Sequence, residues 1–263
     1  MTLKIDMNCD MGESFGHYVL GFDEEILKNV SSANIACGFH AGDYMVMAKT
    51  VEMAIENGVA TGAHPGYPDL QGFGRRAMDM TFAEFKNMIL YQIGALDAIV
   101  KARGGKLVHV KCHGALGNDA NNRAIKGDYE VVEALGQAVL EYNDKLAVVA
   151  FAKSAMVDKL REMGLYVLEE VFADRAYNVD CSLVSRKLPG SLITDPSEVI
   201  ERVLKMVKDG VIITSDGQEI KGVNADTICF HGDTPTAVEL TRQAREAFER
   251  EGIEVGNPLH QDA

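Results

Sequence analysis

What this chain has little of narrows what it can be. Its 26 Lys and Arg stand against 39 Asp and Glu, a formal net charge of −13. Proteins that bind nucleic acid or anionic membranes draw affinity from clustered cations, so neither is an expected partner. A local cation group for a small anionic ligand is still compatible with that charge. No apolar run approaches the length of a membrane span, and the start MTLKIDMNCD has no signal-peptide core, so the expected location is the cytoplasm. The five cysteines include no CxxC pair. Four of them (Cys9, Cys37, Cys112, Cys229) fall inside short apolar runs, which reads as reduced, space-filling thiols. There is no GxxxxGK[ST] and no GxGxxG after a strand, so a nucleotide would be held without either fingerprint. No linker, low-complexity tract or sequence repeat divides the 263 residues. That length suits one α/β barrel domain over 1–263.

Polar residues appear where strands should be apolar. Five of the seven histidines (His40, His64, His109, His113, His231) sit in or just after short apolar runs. These runs are 4–10 (KIDMNCD), 34–40 (NIACGFH), 59–65 (VATGAHP), 107–114 (LVHVKCHG) and 227–233 (TICFHGD). A sixth, 167–174 (VLEEVFAD), ends on Asp174 before Arg175. Helical patterns follow most of them, at about 23–30, 43–57, 82–103, 128–142, 154–162, 196–208 and 235–250. Asp43, the capping box Thr81–Glu84 and Asp195-Pro196 mark helix starts. Gly58, Gly104, Gly164 and Gly210 mark ends. Strand, polar tip and helix in repetition predict an active-site rim at the carboxyl ends of parallel strands.

Side chains at i and i+2 share a strand face. Asp6, Asn8 and Asp10 thus lie opposite Ile5, Met7 and Cys9. Asn34 shares a face with His40, His109 with Lys111 and His113, and His231 with Asp233. A buried parallel strand is ordinarily apolar on both faces. One polar face per strand predicts a closed or nearly closed barrel whose mouth gathers these groups.

Each candidate has a plainer reading beside the chemical one. Asp10 is a general base or metal ligand, or the cap of the Gly12 turn. His40 is an acid/base group, or a satisfied core histidine. His64, held extended before Pro65, suits a ligand or donor. It has no HxxxH or HxH partner in sequence, so a metal site would have to be assembled from distant strands, with Asp10 and His64 as its first members. A protein-bound metal is not expected. Lys111 inside a strand is costly unless its charge is used, either on an anion or in a buried pair with Asp6 or Asp10. His109, deeper, reads as structural. Arg75 and Arg76, in the long loop 66–76, suit a carboxylate or phosphate. Arg175 can hold a carboxylate in bidentate fashion, or pair with Asp174. His231 can transfer a proton, oriented by Asp233, which alternatively caps the next helix. The polar stretch 175–192, with Arg186 and Lys187, is expected to form part of a lid.

Seven segments together resemble one family. They are MNCDMGESFG (7–16), SSANIACGFHAGD (31–43), GAHPGYPDLQGFGRR (62–76), YQIGAL (91–96), HVKCHGAL (109–116), FADRAY (172–177) and CFHGD (229–233). In this order they resemble the LamB/YcsF family over about residues 4–250. The chain departs from that pattern at Cys112 (usually Pro), Gly117 (usually Tyr) and Asp180-Cys181 (usually Asp-Gly). The resemblance implies an irregular, TIM-like (β/α) barrel of seven strands, related to the glycoside hydrolase/deacetylase group. It also implies a role as the A-type component of a prokaryotic ATP-dependent 5-oxoprolinase, which opens the 5-oxoproline lactam to glutamate. ATP, accompanied by Mg, would be co-substrate, and two further subunits of B and C type would be partners. A lactam is a resonance-stabilised amide, and phosphorylation of its oxygen would let water attack. Such a site needs cations for carboxylate and phosphate, a base for water and an acid for the leaving nitrogen. Lys111, Arg175, Arg75 and Arg76 supply the first, with Asn8 and Asp233 as further binding groups. Asp10, His40, His64, His113, Asp174 and His231 supply the rest. Two alternatives stand beside this: a metal-dependent deacetylase acting on an acylated sugar, and a non-catalytic ligand-binding subunit.

Overall fold

Alternation along β1 (Lys4–Met11) decides the architecture. Ile5, Met7, Cys9 and Met11 turn outward into the main hydrophobic core, while Asp6, Asn8 and Asp10 turn inward. In the computed structural model, which describes residues 3–232 and 236–259, the strands close into a ring and this division recurs on most of them. The ring runs β1, β2 (Ser32–Ala36), β3 (Ala60–His64), β4 (Leu107–Lys111), β5 (Ala147–Phe151), β6 (Val167–Phe172) and β9 (Thr227–Phe230), which pairs back to β1. All seven pairings are parallel. A hairpin of β7 (Val211–Ile213) and β8 (Glu219–Lys221) stands apart, and β10 (Glu254–Val255) adds to the amino end of β1.

Helices cover the ring: α1 (Asp23–Ile26), α2 (Tyr44–Glu56), α3 (Phe82–Ala102), α4 (Gly114–Ile125), α5 (Glu130–Tyr142), α6 (Ala155–Glu162), α7 (Pro196–Asp209) and α8 (Ala237–Arg250). Their starts follow the sequence signals. Asp43 accepts from the Met45 and Val46 amides, and Thr81 and Glu84 close a reciprocal capping box. Asp195 caps α7 ahead of Pro196. None of the helices among the described residues is long and apolar enough to cross a membrane.

The barrel interior is mostly a polar network in layers, with a small apolar cluster of Ala147, Val149 and Leu168, instead of the branched apolar filling usual for such barrels. Near the amino ends, the Asp6 carboxylate accepts from Ser31, Ser32 and Thr227 hydroxyls at 2.6–2.7 Å. Above it, His109 Nε2 donates to Asn34 Oδ1 (2.7 Å), and Asn34 donates to Asn8 (2.7 Å). Gly62 on β3 makes room for that histidine, since a Cβ there would overlap the His109 imidazole. With the ring buried and its Nε2 held by Asn34, Gly62→Ala is expected to cost about 1–3 kcal/mol through overpacking. Urea denaturation of the variant checks this, and a midpoint close to wild type would show that the interior can relax.

Three expectations are corrected. The second strand occupies 32–36, not 34–40, because Gly38 (φ 84°) leaves the extended conformation, so His40 arrives from a loop. The fourth strand stops at Lys111, and His113 stands at the first position before α4, its ring turned to the site and not to the helix amides, instead of sharing the strand face with Lys111. The first helical pattern, 23–30, is one turn only. Strand β5 and helix α4 carry no polar-tip signal and are additions. One departure from the family pattern has a backbone consequence. Cys181 sits at φ 65°, in the left-handed region that favours glycine. Cys181→Gly is expected to stabilise by roughly 0.5–1 kcal/mol, the relieved strain less the added freedom of the unfolded chain. A thermal melt reads it directly.

Candidate active site

The carboxyl ends of the seven strands open into a cleft of about 600 Å³. Its floor is built from β1, β3, β4, β6 and β9. Lys111 Nζ, almost fully buried, lies 3.1 Å from Asp10 Oδ1, 2.7 Å from Glu170 Oε1 and 3.1 Å from Asn8 Oδ1. Burial opposes the ammonium, but Asp10 and Glu170 outweigh it and hold Lys111 well above the ordinary lysine value. Burial likewise pushes Asp10 up, while His64 and Lys111 bring it well below the usual carboxylate range. Glu170 is raised, because burial exceeds what Lys111 returns. One ammonium thus sits between a firmly ionised carboxylate and one whose proton is held more tightly, a separation typical of acid/base sites.

Three imidazoles gather beside Asp10. His64 ends β3, with its Nδ1 2.7 Å from the Lys111 carbonyl. His113 Nε2 is 2.9 Å from the Phe73 carbonyl. His40 stacks on His113, centroids 3.6 Å apart and planes 6° apart. Burial drives His113 down to about 3 and His40 well below the usual imidazole value. Glu13 reaches the same group. Gly12, at φ 69° with its amide held by Asp23, turns the chain after β1 so that Glu13 faces back over the mouth. Its carboxylate lies 3.2 Å from His40 Nε2 and 3.3 Å from His113 Nδ1.

Across the mouth, Asp174 accepts from His231 Nδ1 at 2.7 Å. Burial pushes the Asp174 carboxyl up, but His231 prevails and keeps it below the ordinary value. The partner expected for His231 was Asp233, which lies outside the described residues; Asp174 orients the ring here.

The structure therefore brings Asp10, His40, His64, Lys111, His113, Asp174 and His231 to one end of one barrel, with Asn8 just beneath. Arg75 lines the cleft, with its guanidinium 5.0 Å from the Phe73 ring centre. Arg76 does not: it is paired with Asp69 on the outside of the loop, which corrects its expected role. Arg175 lines the cleft, yet its Nη2 and Nε donate to the Val184 and Ser191 carbonyls, so it braces the 175–192 segment. That segment contributes Arg186 and Lys187 to the rim. Lys111 pairs with Asp10 but not with Asp6. Glu13 and Glu170 were missed. For Glu170 the signal was available, since it shares strand parity with Asp174 inside an apolar run. For Glu13, beyond the strand, there was none.

The LamB/YcsF family pattern matches residues 5–262. The A-type component of the 5-oxoprolinase of Pyrococcus furiosus is 52% identical over 253 residues, 96% of this chain and 97% of that protein. A lactam utilization protein from Thermus thermophilus superposes with a TM-score of 0.90 at 44% identity, covering 97% of this chain and all of its own. The catalytic domain of a peptidoglycan N-acetylglucosamine deacetylase from Eubacterium rectale shares the fold alone, with a TM-score of 0.51 at 12% identity over 97% of this chain and 88% of that one.

Proposed function

We infer the activity from the premise that this chain belongs to the LamB/YcsF family: it is the A-type component of an ATP-dependent 5-oxoprolinase. The observation that carries the reading is a group of cations at the mouth. In a chain of net charge −13, Arg75, Arg186 and Lys187 face one opening above Lys111, whose charge Asp10 and Glu170 already balance, with Glu13 and Asp119 the other acids of the lining. That arrangement suits an anionic lactam beside an anionic phosphate donor.

The lactam oxygen takes the terminal phosphoryl group of ATP, which is bound with Mg, and ADP leaves. Water then adds at C5 and gives up a proton. The C5–N bond breaks, its electron pair passes to nitrogen, and nitrogen takes a proton. A second water frees phosphate from the resulting acyl phosphate and leaves glutamate. Lys111 stabilises charge developing on the lactam oxygen. His231, held by Asp174, moves the proton between water and ring nitrogen, with Asp10 and the histidine group beside it. B- and C-type subunits complete the enzyme.

Co-purification with the products of neighbouring genes, followed by assay of 5-oxoproline and ATP, tests this. The chain alone should show little lactam hydrolysis, and the complex should need ATP. Robust ATP-independent turnover by this chain alone would overturn the reading.

A further inference from the structure

We propose that Glu13, His64 and His113 form a site for one divalent transition-metal ion of the zinc class, with an open position facing the cleft. The hydrogen bonds of the two rings fix where their lone pairs point. The Lys111 and Phe73 carbonyls can only accept, so His64 Nδ1 and His113 Nε2 carry the hydrogens. In neutral rings the inner nitrogens, His64 Nε2 and His113 Nδ1, are then both acceptors. They face each other at 3.0 Å, with the rings at 90°. Glu13 Oε1, a third acceptor, lies 3.3 Å from His113 Nδ1. With both rings neutral, no hydrogen lies among these three acceptors, and a cation there takes the place of a proton shared between rings and carboxylates.

The spacing fits. Two ligand atoms each about 2.0–2.1 Å from one tetrahedral zinc stand about 3.3 Å apart. Ligating histidines characteristically donate their outer N–H to a carbonyl or carboxylate, as both do here. Imidazole with carboxylate selects zinc and its first-row neighbours over magnesium and calcium, which favour all-oxygen shells. Three protein ligands with a fourth position open is the arrangement of a reactive zinc centre. Asp10 Oδ2, 3.3 Å from the same His64 nitrogen, borders that position.

His40 is excluded as a ligand by its geometry. Its ring is parallel to His113, so the in-plane lone pairs of the two rings cannot meet at one point. It braces Glu13 through its Nε2 instead. A second group, Asp10, Cys229 and His231, also lies close together. There the Lys111 ammonium already stands 3.1 Å from both Cys229 Sγ and Asp10 Oδ1, and would repel a metal.

The test uses the full chain, stripped with chelator and titrated with Co2+ and with Zn2+. Wild type should take up one equivalent. X-ray absorption should show a nitrogen and oxygen shell with imidazole scattering. The His64→Ala, His113→Ala double variant, checked for folding by circular dichroism, should bind more weakly by over the roughly 10–100-fold that outer-shell changes cost. Substoichiometric uptake by wild type, a sulfur shell from the cysteines, or unchanged affinity in a folded double variant would overturn the site. Should the double variant fail to fold, the wild-type stoichiometry and absorption spectrum decide alone. Metal content is the readout, so failure here would leave the lactam reaction standing, and the reverse.

Discussion

Replacing Lys111 with methionine is expected to abolish lactam turnover by the complex and to destabilise the chain by about 3–5 kcal/mol. The two effects share one cause. Lys111 Nζ lies against Asp10 and Glu170, and both side chains face a barrel interior with little solvent. Methionine fills the volume but leaves two carboxylates without their counter-charge. Loss of one donor to a developing oxyanion costs on the order of 10²–10³ in rate. Structure and catalysis separate in a second variant. Glu170→Gln in the Lys111→Met background removes the carboxylate nearest the missing ammonium, so melting temperature should recover in part while activity stays lost. A Lys111→Met protein with near-normal rate would remove the lysine from the mechanism. A double variant that regains both stability and rate would do the same.

The sequence exposed this site unevenly, and the reasons are physical. Strand parity placed Asp6, Asn8 and Asp10 on one face and Lys111 among acceptors, because alternation leaves a readable period whenever the two faces differ. The same contrast made the closed barrel legible. Strand β5 is AVVAF, apolar throughout, and offers no contrast to read. Helix α4 is rich in Asn and Gly and has weak local propensity; packing against α5 and α6 holds it where it lines the cleft. Parity failed where the chain left the strand. His40 and His113 reach the site from a glycine-bounded loop and a helix cap, and Glu13 from a turn. Arg76 shows the opposite limit, since adjacency to Arg75 did not reveal that Asp69, seven residues earlier, would claim it.

Asp174→Asn is expected to lower the turnover number of the complex by roughly 10²–10⁴ while leaving the fold intact. The Asp174 carboxylate accepts the His231 Nδ1 hydrogen at 2.7 Å, which leaves Nε2 as the acceptor available to the cleft. An asparagine amide can donate toward Nδ1 and favour the other tautomer, turning a base into a donor. It also removes the charge that steadies the imidazolium formed when water gives up its proton. Asp174, held below the ordinary carboxyl value by His231 against the push of burial, is a carboxylate, so the variant removes a charge as well as a hydrogen-bond acceptor. The pH profile of turnover should therefore change along with its height. A residue that merely shaped the loop would change melting temperature without altering that profile. Stability should change little, because the side chain's hydrogen-bonding partner is a ring that remains in place. Full-rate turnover with an unshifted pH profile in Asp174→Asn would take proton transfer away from His231 and leave it to Asp10 and the histidine group across the mouth.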